Sequence, residues 1–383
     1  MRVINAATTL LTGLLLVGGA MADGPEPRIR DLGISPGVLP PGELNAITDV
    51  GGVTVGQVTL VKGKDVRTGV TAILPHEGNV FQEKVPGAVY TANGFGKAAG
   101  FEQVRELGNI EAPILLTNTL DVGTVREAAT AWVLRQPGNG DVRSVNVVVG
   151  ETNDGYLNDI RGQHVRPEDV VKAIESAKTG PVAEGNVGAG TGTRALGYKA
   201  GIGTASRKLP ESLGGYTVGV LVQANFGGIL TIDGVRVGEK LGNYVFRDEL
   251  EGAKAAPRAE EEDGSIMVVI ATDAPVGSRN LERMAKRAPL GIARTGGFET
   301  NGSGDFMIAF STADRIRYAD PEAVRERPRL DNNRMDPLFL AVVEATEEAI
   351  YNALVAAEDI TGRDGHTSKA LPLDTLREMI KAR

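Results

Sequence analysis

The sequence predicts a layered α/β protein with a buried sheet, and three observations carry that expectation. Short strand-like segments are mixed with helical periodicities along the chain. Ile266 to Ala271, "IMVVIA", is a continuous apolar run of strand length, as expected of a strand buried on both faces. The 383 residues are 42% hydrophobic and 23% charged, enough for a large core and for either one large domain or two modest ones.

Taken in order, Asn45 to Pro75 alternates apolar with small or polar residues between Gly-rich breaks, which predicts short strands joined by hairpins. A helix-like stretch covers Lys97 to Leu107, a short strand Ile114 to Leu116, a helix Asp121 to Arg135 and a strand Ser144 to Val149. Pro167 to Ala177 carries Pro at its start, acids next and Lys later, the charge order that suits a helix dipole. Tyr216 to Ala224 and Gly228 to Ile232 suggest a strand pair. After the acidic tract ending at Asp263 come the strand Ile266 to Ala271, a basic helix near Arg279 to Arg287 and a strand Phe306 to Phe310. A long helix runs from Asp336 to about Ala357, with Leu338, Val342, Ala345, Ile350 and Leu354 mostly at helical spacings. Arg247 to Asp263, "RDELEGAKAAPRAEEED", offers little to bury and is expected to be an exposed, mobile linker.

A formal net charge of -8 without a basic block argues against a nucleic-acid partner. The N-terminus has Arg2, an apolar run through Val17 and an A-x-A site at Ala20 to Ala22, the pattern of a secretory signal peptide over residues 1–22. The apolar run is short for a membrane span, so an exported, periplasmic or secreted protein beginning at Asp23 is expected. The chain contains no Cys, which excludes thiol catalysis and disulfides.

Among candidate chemistries, a metal site is disfavoured because His76, His164 and His366 are scattered and no H-E-x-x-H occurs. The Gly-rich stretch Gly185 to Gly197 lacks the Gly-Lys-Ser/Thr ending of a P-loop, so it reads as close backbone packing. Gly33-Ile34-Ser35-Pro36-Gly37 matches G-x-S-x-G. Pro36, however, has no N-H to give an oxyanion hole, which disfavours Ser35 as a nucleophile. Gly264-Ser265, at the seam between the acidic tract and the apolar strand, has two readings. One is a turn entering a strand. The other is attack by the Ser265 hydroxyl on the Gly264 carbonyl, an N-to-O acyl shift and hydrolysis, which would leave Ser265 as a new N-terminus. Its α-amine, with a reference pKa of about 7.7 to 8.0, would then serve as base beside the hydroxyl.

Further segments bear on that choice: "DGSIMVVIATDAPV" (Asp263 to Val276), "RTGGFETNGSGDFMIAFSTA" (Arg294 to Ala313), "VGETNDGYLNDI" (Val149 to Ile160), "GIGTASR" (Gly201 to Arg207) and "LVQANFGG" (Leu221 to Gly228). Together with the opening Arg30 to Thr59, they resemble the self-processing serine aminopeptidases of the DmpA/BapA family, over nearly the whole chain after Ala22. The resemblance implies a four-layer αββα sandwich of the N-terminal-nucleophile type, as in DmpA and the ornithine acetyltransferases. It implies a precursor cut into residues 23–264 and 265–383, which remain one folded domain and assemble as homo-oligomers, commonly tetramers of the two-chain unit. No cofactor, membrane or nucleic acid is implied.

By the same resemblance Ser265 matches the nucleophile, and Ser303 and Asp305 match a second serine and acid that relay or orient its proton. Asn225 matches an oxyanion donor, for which an amide NH₂ is suited. Glu151 matches the carboxylate that receives the substrate's ammonium, and Tyr156 lies in the same motif and would line the pocket. The implied activity is release of N-terminal residues, β-amino acids favoured and D- or L-α-residues also open, from short peptides, aminoacyl amides or esters. Acyl transfer on the same architecture and a non-catalytic small-ligand binding protein are the alternatives.

Overall fold

The computed structural model describes residues 27–252, 264–319 and 326–382. The expected signal peptide and most of the acidic tract lie outside these residues. Chain order begins with β1 (Thr54–Lys62), β2 (Val66–Leu74), β3 (Glu83–Gly94), α1 (Phe101–Leu107), β4 (Asn109–Ile110), β5 (Ile114–Asn118), α2 (Val122–Leu134), β6 (Val148–Thr152) and α3 (Pro167–Glu175). It continues with β7 (Arg194–Ala195), β8 (Tyr198–Lys199), β9 (Ile202–Lys208), β10 (Thr217–Asn225), α4 (Val237–Lys240), α5 (Arg247–Leu250) and β11 (Ser265–Thr272). The remainder comprises α6 (Ser278–Ala285), α7 (Ala288–Thr295), β12 (Gly304–Ser311), β13 (Ile316–Arg317), α8 (Asp336–Val355), the pair β14 (Ile360–Thr361) and β15 (Thr367–Ser368), and α9 (Leu373–Lys381).

These elements form four layers, α-β-β-α. One sheet has the order β1-β2-β5-β6 and the other β13-β3-β12-β11-β10-β9, with β4 paired to β3. Val55, Ile73, Ile114, Leu116 and Val148 of the first sheet meet Val89, Leu221, Met267, Val269 and Ile308 of the second in a core between the sheets. Helices α2 and α3 cover the outer face of the first sheet through Val125, Ala129, Val170 and Ile174. Helices α6, α7 and α8 cover the second through Leu281, Ile292, Leu338, Val342 and Ile350.

The apolar run of β11 follows from its central place in this sandwich. Ile266, Val268 and Ile270 face the helices, while Met267, Val269 and Ala271 face the opposite sheet. A strand whose two faces are both dry has no position for a polar alternation. β11 runs antiparallel to β10 and parallel to β12, so three strand ends that carry candidate residues come together.

The structure departs from the sequence expectations in identifiable places. Gly228 to Ile232 does not pair with β10; β9 and β11 flank that strand instead. The backbone of Gly228 has φ +153°, and a Cβ there would lie 2.7 Å from a methyl carbon of Leu196, so the chain turns away after Asn225. Ser144 to Val149 is replaced by a strand that begins later, at Val148. β3 had no clear signal because Pro86, which cannot donate to a ladder, interrupts its pattern. The first residues of the expected linker form the short exposed helix α5, while residues 253–263 fall outside the described structure.

Candidate active site

Register places the candidate residues. Asn225, the last residue of β10, stands opposite Ser265, the first of β11, and Ser265 stands opposite Gly304, the first of β12. Gly264 is buried at this junction. A Cβ on it would lie 2.5 Å from Phe226 Cα and closer still to the Asn225 carbonyl oxygen, so a residue without a side chain is needed there.

The Ser265 hydroxyl is 5% exposed at residue level and accepts a hydrogen bond from the Gly304 N-H at 3.2 Å. The same N-H lies 3.3 Å from the Gly264 carbonyl oxygen. One backbone donor thus reaches both the candidate nucleophile and the carbonyl it would attack. The sequence reading missed Gly304, since a backbone N-H has no signature in residue identity.

The Asn225 side chain is fixed at both ends. Its Nδ2 donates to the Asn153 carbonyl at 3.0 Å, and its Oδ1 accepts from the Arg194 N-H at 3.0 Å. The second Nδ2 hydrogen remains available to an oxyanion. Arg194 and Asn153, both missed from sequence, set that orientation.

Ser303 donates its hydroxyl hydrogen to Asp305 Oδ1 at 2.6 Å, and both residues are buried. Burial pushes the Asp305 carboxyl up to about 6; the Ser303 hydrogen bond works against this, and the negative charge of Glu299 adds to it. Asp305 Oδ2 has no hydrogen-bond partner among the described residues. Along β12, Asp305 alternates with Phe306 and shares the helix-facing side of Met307 and Ala309, whereas Ser265 shares the inter-sheet side of Met267 and Val269. Ser303 and Asp305 therefore flank the backbone at the start of β11. Among the described residues, Ser265 Oγ bonds to Gly304 and makes no hydrogen bond to Ser303.

Glu151 lies on β6 of the opposite sheet, buried at 2% exposure. It accepts from the Lys97 N-H at 2.9 Å and from the Thr119 hydroxyl. Among the described residues it has no ion-pair partner. A buried carboxylate held by neutral donors alone is suited to receive an external ammonium.

Tyr156 lines a cleft of about 670 Å³ that also touches Asn225, Phe226 and Gly264. Its ring stacks on His366, with centroids 4.6 Å apart and planes 11° from parallel, and the Arg194 guanidinium carbon lies 4.2 Å from the ring centre. The rejected motifs occupy other roles. Ser35 is an exposed loop residue, and Gly190 in the Gly-rich stretch packs so tightly that a Cβ would overlap the backbone of Gly201 and Ile202. His76 bonds the Glu83 carbonyl oxygen and His164 pairs with Asp159.

The comparisons with known proteins agree with this arrangement. The model of peptidase family S58 matches residues 45–368. The chain is 44% identical to the beta-peptidyl aminopeptidase BapA of Sphingosinicella microcystinivorans, over 97% of this chain and 96% of that protein. Among solved structures it is similar to a Burkholderia sp. beta-aminopeptidase, with 42% identity, a TM-score of 0.84 and coverage of 93% of this chain and 98% of the other. It is also similar to the L-aminopeptidase D-Ala-esterase/amidase of Ochrobactrum anthropi, a prototype for the serine aminopeptidases with a variant Ntn hydrolase fold. There the identity is 37% and the TM-score 0.84, over 93% of this chain and 99% of that one. The αββα sandwich, the strand-end cluster around Ser265 and these likenesses lead to one assignment: the chain belongs to peptidase family S58 and is a serine aminopeptidase.

Proposed function

We propose that the protein is exported by residues 1–22, cuts itself between Gly264 and Ser265, and then releases N-terminal β-amino acids from short peptides and aminoacyl amides. The observation that carries the proposal is the shared Gly304 N-H, 3.2 Å from Ser265 Oγ and 3.3 Å from the Gly264 carbonyl oxygen. A rotation of Ser265 about χ1, away from Gly304 and towards Ser303, would leave that donor wholly to the Gly264 carbonyl.

In the precursor, the Ser265 oxygen attacks the Gly264 carbonyl carbon as its proton passes through Ser303 towards Asp305. The negative charge that forms on the carbonyl oxygen is held by Gly304 N-H and Asn225 Nδ2. The C-N bond breaks, the nitrogen of Ser265 takes the proton, and an ester remains. Water then hydrolyses the ester and separates residues 23–264 from 265–383.

In the mature enzyme the freed α-amine of Ser265 is the base for the same attack on a substrate. Glu151 receives the substrate's ammonium, which restricts cleavage to the first residue. The leaving amine takes a proton, an acyl-enzyme forms on Ser265, and water clears it. The preference for β-residues is supported by the relatives named beta-peptidyl aminopeptidases, at 44% and 41% identity. Assembly into a tetramer of two-chain units is part of the proposal.

The test is a denaturing gel of purified protein with N-terminal sequencing. Two fragments, one beginning Ser-Ile-Met-Val, are expected from the wild type. Ser265→Ala should remain one inactive chain. An uncut wild type that nevertheless hydrolyses aminoacyl amides would overturn self-processing. Faster hydrolysis of α- than β-aminoacyl anilides would overturn the β preference.

A further inference from the structure

The cleft beside Asn225 and Gly264 contains a concentration of positive charge that the chemistry above leaves unused. Arg161, Arg194 and Arg363 all line it, and no Asp or Glu does among the described residues. Arg363 pairs with Asp364 at 3.0 Å. Arg194 and Arg161 have no carboxylate partner among the described residues. Arg194 is half-buried: its Nε donates to Ser368 Oγ at 3.3 Å and its plane lies over Tyr156, while its two terminal nitrogens have no bond among the described residues. The backbone of the same residue orients Asn225 at 3.0 Å, so this guanidinium is tied to the candidate oxyanion donor.

A partly dehydrated guanidinium with two free forked donors matches a carboxylate in shape and charge. Apart from Asp305 and the two termini that self-cleavage would create, a carboxylate at Gly264 in this lining and an amine at Ser265, the charged group that the aminopeptidase reading uses is Glu151, on β6 and outside the lining of this cleft. A short peptide is itself a dipole, ammonium at one end and carboxylate at the other. The arginines repel the ammonium end, which Glu151 attracts. Phe226, Leu196 and Val245 give the cleft an apolar wall for a side chain between the scissile bond and that carboxylate.

From this we infer that Arg194 and Arg161 bind the C-terminal carboxylate of the leaving group, which makes the enzyme selective for di- and tripeptide acids over their amides. The inference rests on the aminopeptidase reading and on Glu151 as the ammonium site.

The experiment compares kcat/KM of the full-length, naturally processed enzyme for a dipeptide with a free carboxylate and for the same dipeptide as its C-terminal amide. A carboxylate bonded by a guanidinium should give the acid an advantage of about tenfold or more in the wild type, shrinking as sodium chloride is raised. In Arg161→Gln/Arg194→Gln the ratio should fall to within about twofold of one. If the double variant does not fold, Arg161→Gln alone, at an exposed turn, should lower the ratio part of the way. Equal efficiency for acid and amide in the wild type overturns the carboxylate site and leaves the aminopeptidase assignment standing. An acid preference that survives undiminished in the variants overturns the assignment to these arginines. Hydrolysis of neither dipeptide, when a single aminoacyl anilide is cleaved, overturns the inference through its substrate class; hydrolysis of none of the three overturns the aminopeptidase reading as well.

Discussion

Asp305 is placed so that its titration should be visible in the rate of self-cleavage. In the intact chain there is no α-amine at Ser265, so the Ser303-Asp305 pair is the proton acceptor in the proposed acyl shift. Burial raises the Asp305 carboxyl to about 6. With that value about one-tenth of the molecules carry the carboxylate at pH 5 and about nine-tenths at pH 7, a difference of roughly tenfold in the reactive form. The cleavage rate of precursor made by cell-free translation and shifted to each pH should therefore rise about tenfold from pH 5 to pH 7, then level off. Asp305→Asn removes the titrating group. Its rate should fall by about 10² or more at pH 7 and lose the acid limb.

Stability should respond in the opposite sense. The folded-state value lies above the unfolded reference of 3.8, so the neutral form is favoured by folding. That contribution is fully present below the unfolded value and is lost as pH rises through about 6. It amounts to about 2 to 3 kcal/mol at most, from about two pKa units at 1.36 kcal/mol each. At pH 7, in the uncut Ser265→Ala chain, Asp305→Asn should accordingly leave the urea midpoint equal or higher. Either of two results would refute the reasoning: a flat wild-type rate between pH 5 and 7, or an acid limb with the same midpoint in Asp305→Asn.

Three further expectations concern other charges. Glu151→Gln should keep the buried hydrogen bonds but lose the attraction for an ammonium, lowering kcat/KM for aminoacyl anilides by about 10- to 150-fold with most of the change in KM. Glu348 receives Arg30 at 2.6 Å and fully buried Arg207 at 2.9 Å, so Glu348→Ala should lower the unfolding free energy in urea by about 3 to 5 kcal/mol. Asp154, two residues before Tyr156, is buried, and burial pushes its carboxyl up to about 7. The stability it contributes is present below pH 4 and lost as pH rises through about 7, so Tm should drop more between pH 5 and 8 in the wild type than in Asp154→Asn.

The sequence made some of this legible and withheld the rest for physical reasons. α2, α3 and α6 were readable because a helix buries one side and its periodicity is local, and α8, which is buried on nearly all sides, because its large apolar residues stand mostly at helical spacings. β11 and β12 were readable as apolar runs for the opposite reason, since both of their faces are covered. β3 was hidden by Pro86, and β9, "IGTASRK", by small and polar residues whose burial is imposed by α8 and the N-terminal segment. Local pattern reports what a segment can bury, and these two strands are completed by partners far away in the chain.

The same distinction governs the site. Gly264 and Ser265 are nameable from the seam between an acidic tract and an apolar strand, and Asn225, Ser303 and Asp305 through the motifs that resemble the family, since Asn, Ser and Asp are ordinary residues in Gly-rich turns; three adjacent strand ends bring them together. What motifs do not contain is the relation between faces. Ser265 points between the sheets and Asp305 towards the helices, so the proposed relay needs a hydroxyl rotation that a string of residue names would not suggest. Nor do motifs contain backbone donors. Gly304 N-H sits within reach of both the candidate nucleophile and the carbonyl it would attack because β12 runs parallel to β11 in a register set by the whole sheet. In the slanted parallel ladder the N-H of Gly304, which stands opposite Ser265, is aimed at the carbonyl of the preceding residue, Gly264, and the Ser265 side chain reaches the same donor. The parallel crossover from β11 to β12, which buries α6 and α7 against the sheet, thus also supplies the geometry on which the chemistry proposed at Gly264-Ser265 depends.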